Sequence, residues 1–236
     1  MNNFNDIGIE SKLDTKRIAH LFKIGLFAAF LVLEGDMLLG WCVPDENLSG
    51  MKAYFSKYLT VSDTRIFWSA VLGMVGIPLE CLCYFGVYRL IAPNSEKYAH
   101  KLRSGILGML TFGGFVHVMC CAVPYYFKHI YELSPDTAVA QALSLAKYFL
   151  LPPTIVFFGF TIYMVTVQIK VFAKGLTPYP SWCLIFSFPF GFLVIILMKL
   201  IGEYGLTNAL ATGWISIANL WIFGGLLIVG RKRGII

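Results

Sequence analysis

Six stretches of the chain, at roughly 18–41, 66–91, 102–126, 150–173, 181–201 and 207–230, are almost continuous in apolar residues, and the polar and charged residues gather between them. A helix needs about 20 mostly apolar residues to cross the hydrocarbon core of a bilayer. Strands of a membrane barrel would be about half that length and alternate in polarity. The pattern therefore predicts an all-α, polytopic membrane helical bundle of about six transmembrane helices. These form one transmembrane domain over 18–230, between a polar N-terminal arm at 1–17 and a basic tail at 231–236.

Two connections carry a pattern of their own. In 51–60, Met51, Tyr54, Phe55, Tyr58 and Leu59 recur at helical spacing while Lys52, Ser56 and Lys57 fall on the other side, which predicts a short amphipathic helix lying in the interface. Further on, Ser134-Pro135-Asp136 reads as a cap residue, a proline at the first helical position and an acid in the first turn. That predicts a helix over about 135–149, interrupted by Pro152-Pro153 before the fourth span.

Composition agrees with the pattern. The chain of 236 residues is 58% hydrophobic and 14% charged, against about 45–50% and about 25% for soluble proteins. The net charge of +6 does not form one patch, which argues against nucleic acid as a partner, and the cations read instead as topology signals. Thirteen Lys and Arg flank one set of connections (Lys12, Lys16, Arg17, Lys23; Arg89, Lys97, Lys101, Arg103; Lys170, Lys174; Arg231, Lys232, Arg233) and six the other (Lys52, Lys57, Arg65, Lys128, Lys147, Lys199). The excess places both termini in the cytoplasm of a cell whose inner, cytoplasmic membrane the chain spans several times. Glu34 and Asp36 and the lack of a small-residue cleavage site make the first apolar run a retained helix, not a signal peptide. The six cysteines have no disulfide spacing, and Cys81 and Cys83, two apart on a helix, point to nearly opposite sides.

Ionisable groups inside a span are costly and mark candidate sites. Glu34 and Asp36 lie in the first span, Glu80 in the second and His117 in the third. Helical rise puts Glu34 about 6 Å and His117 about 4–5 Å outward of their span centres, so the two are expected to pair, as acid and base, in one cavity. Asp36 and Glu80 are expected on its wall. Gly73 and Gly76 precede Glu80, and Gly113 precedes His117, on the same faces, where small residues let helices approach. Pro78 is expected to kink the second span and Pro189 the fifth. In the sixth span Asn208, Thr212, Ser216 and Asn219 follow one face, flanked by Trp214 and Trp221. Glu34 and His117 are thus the candidate catalytic residues. Asp36, Glu80, Asn208, Thr212, Ser216, Asn219 and Trp221 are the candidate substrate-binding residues, with no metal site. Polar groups in bundles also serve simply to join helices, and two or three carboxylates with one histidine are a donor set for a hard cation. No nucleotide loop, Gly-x-Ser-x-Gly or His-Glu-x-x-His motif is present, and no pattern names a cofactor.

Leu33-Glu34-Gly35-Asp36-Met37-Leu38-Leu39-Gly40-Trp41, Gly76-Ile77-Pro78-Leu79-Glu80 and Gly114-Phe115-Val116-His117, taken together, resemble an uncharacterised family of small bacterial multi-pass membrane proteins. The resemblance covers most of the chain and implies no activity. Two other families are set aside. The sterol isomerase and sigma-2 receptor group carries a Glu one turn after a membrane His, where this chain has Cys121. Relatives of alkaline ceramidase need several membrane His residues, whereas His20, His100 and His129 sit near or outside the interfaces.

The expected function is a multi-pass membrane protein with a polar intramembrane cavity that binds or processes a small lipid-like molecule, its partners being membrane lipids and an amphipathic ligand. Two alternatives stand beside it: a proton- or cation-coupled transporter and a non-catalytic assembly or sensor component. An asymmetric site open sideways to lipid favours the first, a continuous polar path through both faces the second, and the absence of any cavity the third.

Overall fold

The computed structural model describes residues 15–236. Lys12 and most of the expected N-terminal arm lie outside the described residues. Among the described residues all regular structure is helical, and five helical stretches are long and apolar enough to cross a membrane: Thr15–Gly40, Asp63–Ile91, Glu96–Leu133, Pro135–Ala173 and Trp214–Lys232. Large apolar side chains such as Phe27, Phe67, Ile155, Ile162 and Leu193 point outward, as a bundle solvated by hydrocarbon requires.

The first helix, α1 (Thr15–Gly40), buries Phe22, Gly25, Ala29, Val32, Asp36 and Leu39, a stripe at helical spacing. It leads to the short α2 (Gly50–Ser56), which tightens into a 3₁₀ turn over Lys57–Thr60. Of the expected amphipathic face, Phe55 and Tyr58 are buried, Phe55 against Phe127 with ring centroids 4.8 Å apart, but Met51 and Tyr54 are exposed. Ser56, expected to face away, is buried because its hydroxyl accepts from the Asp45 amide at 2.9 Å. In the connection before α2, burial pushes the Cys42 thiol above its ordinary range, while Lys57 and Arg65 act the other way. A protonated thiol is a poor nucleophile.

Ser62 starts α3 (Asp63–Cys83) by accepting from the Arg65 amide, with Asp63 in the first turn, the polarity a helix N-terminus favours. The helix continues through Pro78, and the break falls at Tyr84, before α4 (Phe85–Ile91). Gly35 and Gly76 let α1 and α3 meet closely: a Cβ on Gly35 would lie 3.1 Å from the Ser69 carbonyl, and one on Gly76 would strike Val32. The long α5 (Glu96–Leu133) follows, then α6 (Pro135–Leu145), which begins at the expected Pro135.

Pro152-Pro153 do not interrupt the chain as expected. A π-helical turn over Ala146–Leu150 joins α6 directly to α7 (Leu151–Ala173). That wider turn accommodates prolines that cannot donate to the preceding turn, and Thr154 supplies its hydroxyl to the Leu150 carbonyl at 2.6 Å.

The expected fifth span at 181–201 is helical only in part. Ser181–Ile185 is a 3₁₀ turn, and α8 (Pro189–Ile201) starts at the proline. Its 13 residues rise about 20 Å. The irregular lead-in buries Cys183, Phe186, Ser187 and Phe188 while Trp182 and Ile185 stay exposed, and side chains tie it to the bundle: Gln168 donates to the Phe186 carbonyl and Trp221 to the Ile185 carbonyl, each at 2.9 Å, and Tyr179 reaches the Leu226 carbonyl. Irregular backbone packed among helices persists where protein groups satisfy its polar atoms. Gly202, at φ 123°, turns the chain into α9 (Gly205–Thr212), and Gly213 separates α9 from α10 (Trp214–Lys232). Neighbours in space run α7, α5, α3, α1, α10, with α8 against α9 and α10.

Candidate functional site

Six helices of this array, α1, α3, α5, α7, α9 and α10, surround a cavity of about 220 Å³, larger than the engineered apolar cavity of about 150 Å³ that holds benzene. Its wall is mostly apolar, with Val32, Met109, Val116, Phe157 and Phe158 among the lining residues. Into it project Asp36 from α1, Glu80 and Tyr84 from the second span, His117 and Cys120 from α5, and Thr212, Ser216 and Asn219 from α9 and α10. Cys120 and Thr212, both exposed, mark the mouth, at the end of the bundle where α1 stops. The opposite end is closed. Tyr84, Phe188 and Phe223 are buried there, Tyr84 stacked on Phe188 and 4.9 Å from Phe223 between ring centroids.

His117 reaches its position because Gly73 has no side chain: a Cβ there would overlap the imidazole ring. The ring lies across α3, where Nε2 is 3.0 Å from the Ser69 carbonyl. A carbonyl only accepts, so Nε2 carries the hydrogen and, in neutral imidazole, Nδ1 holds the lone pair. Nδ1 faces Asp36 Oδ1 at 3.7 Å, and Asp36 Oδ2 accepts from the Ser216 hydroxyl at 2.7 Å. An imidazole lone pair opposite a carboxylate would set two acceptors against each other in low dielectric. A proton carried by either partner removes the conflict. Ser69 also meets the Cys121 thiol at 3.4 Å, so one turn of α3 holds both the histidine and its neighbour.

Deeper in, Glu80 is 3% exposed and its Oε1 has no hydrogen-bond partner among the described residues. Asn219 sits against this carboxyl, and its Oδ1 accepts from the Tyr84 hydroxyl at 2.6 Å. Tyr84 was not among the candidates from sequence, although it lies one turn after Glu80 and therefore on the same face.

Three candidates do not reach the cavity. Glu34, expected to pair with His117, is exposed and lines a separate surface groove with Met37, Leu38, Trp41, Arg65 and Leu72. Glu34 and Asp36 are two residues apart, about 200° around a helix, so they cannot share a face. Depth matched Glu34 to His117, but azimuth assigns the contact to Asp36. Trp221, likewise two residues from Asn219, turns away to stack on Phe190 at 4.5 Å and to donate to Ile185. Asn208 lies beyond the break at Gly213 and donates to the Cys42 carbonyl at 2.8 Å, tying α9 to the end of α1.

Among the described residues no group of three or more His, Cys, Asp or Glu side chains gathers closely enough to hold a metal ion. Comparison with curated proteins and with solved structures gives no match. A family model does match, over residues 1–233, and the chain therefore belongs to the Family of unknown function (DUF6796).

Proposed function

We propose that this membrane protein crosses the cytoplasmic membrane six times, with both termini inside, and that its cavity binds a small lipid-like molecule for acid–base processing. The observation that carries the reading is a mostly apolar, one-ended cavity in which an imidazole and a carboxyl face each other. In the six-span reading α8 and its irregular lead-in make up the fifth crossing, and the exposed end of α2 lies at the outer surface. The Asp36–His117 pair, holding one proton between two sites, is suited to take a proton from a bound molecule and return it. Ser216 and Ser69 fix the two partners in position.

The mostly apolar wall and the aromatic side chains packed at the closed end favour this reading over a polar path for coupled transport. The cavity itself separates it from a purely structural role. The test is to purify the protein in detergent, extract it and identify co-purifying small molecules by mass spectrometry, comparing wild type with Cys120→Trp, which fills the mouth while keeping Asp36 and His117 themselves unchanged. The reading expects an amphipathic molecule in near-stoichiometric amount in the wild type and its loss from the variant. Equal amounts in both proteins would remove the cavity as the binding site.

A further inference from the structure

The polar groups in the cavity are unequally supplied with partners. Most side-chain donors are engaged: the Ser216 hydroxyl on Asp36, the Tyr84 hydroxyl on Asn219, the His117 Nε2–H on the Ser69 carbonyl, and the Thr154 and Thr212 hydroxyls on carbonyls of their own helices, while the Asn219 amide, its oxygen taken by Tyr84, turns its N–H side to the Glu80 carboxyl. What remains is acceptor capacity. Glu80 is one of the lining residues and its Oε1, buried just behind the wall, has no partner among the described residues, and Asp36 Oδ1 has only the imidazole at 3.7 Å. No Lys or Arg lines the cavity, while two carboxyls do.

A ligand that completes such a site must donate hydrogen bonds. A phosphate or carboxylate headgroup would set acceptor against acceptor with no cation to offset it, at the cost of burying an unpaired charge. A primary amine offers up to three N–H donors and a charge opposite to that of the carboxyls. The apolar wall and the volume suit a short alkyl chain beside that head.

We infer that the cavity takes a lipid-soluble primary amine whose head lies against the free oxygen of Glu80. The inference deepens, and rests on, the proposal that the cavity holds a lipid-like molecule. Bound in this way, the amine nitrogen lies in the same chamber as Asp36 and His117, which supply the acid and base for chemistry at or beside it.

The test measures binding of four probes to the full-length protein in maltoside micelles: n-octylamine, n-octyltrimethylammonium, 1-octanol and octanoate. Wild type, Glu80→Gln and Cys120→Trp are compared by titration calorimetry and by thermal shift. Octylamine is expected to bind at least tenfold tighter than octyltrimethylammonium, which keeps the charge but has no N–H, and tighter still than octanoate. Glu80→Gln should reduce that preference at least tenfold. Should Glu80→Gln fail to fold, the four-probe ranking in wild type decides alone. If octyltrimethylammonium or octanoate binds as well as octylamine, and Cys120→Trp abolishes that binding, the amine inference falls while the lipid-binding cavity stands. If no probe binds, or if binding survives Cys120→Trp unchanged, the cavity reading falls with it.

Discussion

Two carboxyls on α1 stand two residues apart and meet opposite environments. Asp36 is enclosed by α3, α5 and α10 and touches His117 and Ser216. Glu34 lies in a surface groove beside Trp41 and Arg65, with no hydrogen bond to its carboxyl among the described residues. The inward face of α1 is built from residues that let other helices approach, Gly25, Ala29, Val32 and Gly35, whereas the outward face carries Phe27 and Phe30. Asp36 continues the first stripe at four residues from Val32, and Glu34 the second at four from Phe30. What separates a candidate site residue from a surface carboxyl is thus angular position on the helix, set by neighbours that determine whether a partner helix can come close.

The largest effect that sharpens this contrast is expected from Gly73→Ala. The added methyl group occupies the space of the His117 ring, so either the ring is expelled or α3 and α5 separate. Overpacking of this kind, with loss of the Ser69 hydrogen bond, should cost about 2–3 kcal/mol, read as a lowered midpoint of thermal unfolding in detergent. Gly159→Ala provides the opposite case on the outward side of α7, where a Cβ meets nothing within 4 Å. It should be neutral or stabilising by up to about 1 kcal/mol. Comparable losses in both variants would mean that the cavity wall is no more tightly built than the lipid-facing surface.

A smaller loss is expected from Asp36→Ala, which leaves the Ser216 hydroxyl and one side of the imidazole without a partner, at about 1–3 kcal/mol. Glu34→Gln, which alters only the groove, should change stability by no more than about 0.5 kcal/mol. An equal or larger effect at Glu34 would reverse the assignment of the two faces.

Much of this architecture is legible in the sequence. Apolar run length found the five stretches long enough to cross a membrane and overestimated the helix at 181–201, and the spacing of Thr212, Ser216 and Asn219 on one face is retained across the break at Gly213 because Thr212 ends α9 just before the turn. Gly73 and Gly113 could be singled out as positions of close approach, and both are: a Cβ on Gly113 would lie 2.7 Å from Ile77. What sequence did not show was relative rotation. Matching Glu34 to His117 by depth used the 1.5 Å rise and left out the 100° turn, although the same turn had separated Cys81 from Cys83. Applied to α1 it would have favoured Asp36, and applied to α10 it would have excluded Trp221. The π turn before Pro152 and the irregular start of the fifth apolar run were not legible for another reason. Each depends on tertiary partners, Thr154 in one case and Gln168 and Trp221 in the other, and local pattern carries no record of them.

The pairing of Asp36 with His117 is tested most directly by two double-mutant cycles on thermal stability in detergent, Asp36→Ala with His117→Ala and Glu34→Ala with His117→Ala. Groups in contact couple, and distant groups add. The expected result is a coupling of about 1 kcal/mol or more in the first cycle, the double variant losing less than the sum, and additivity in the second to within about 0.5 kcal/mol. Additivity in the first cycle together with coupling in the second would contradict the account and return Glu34 to the site.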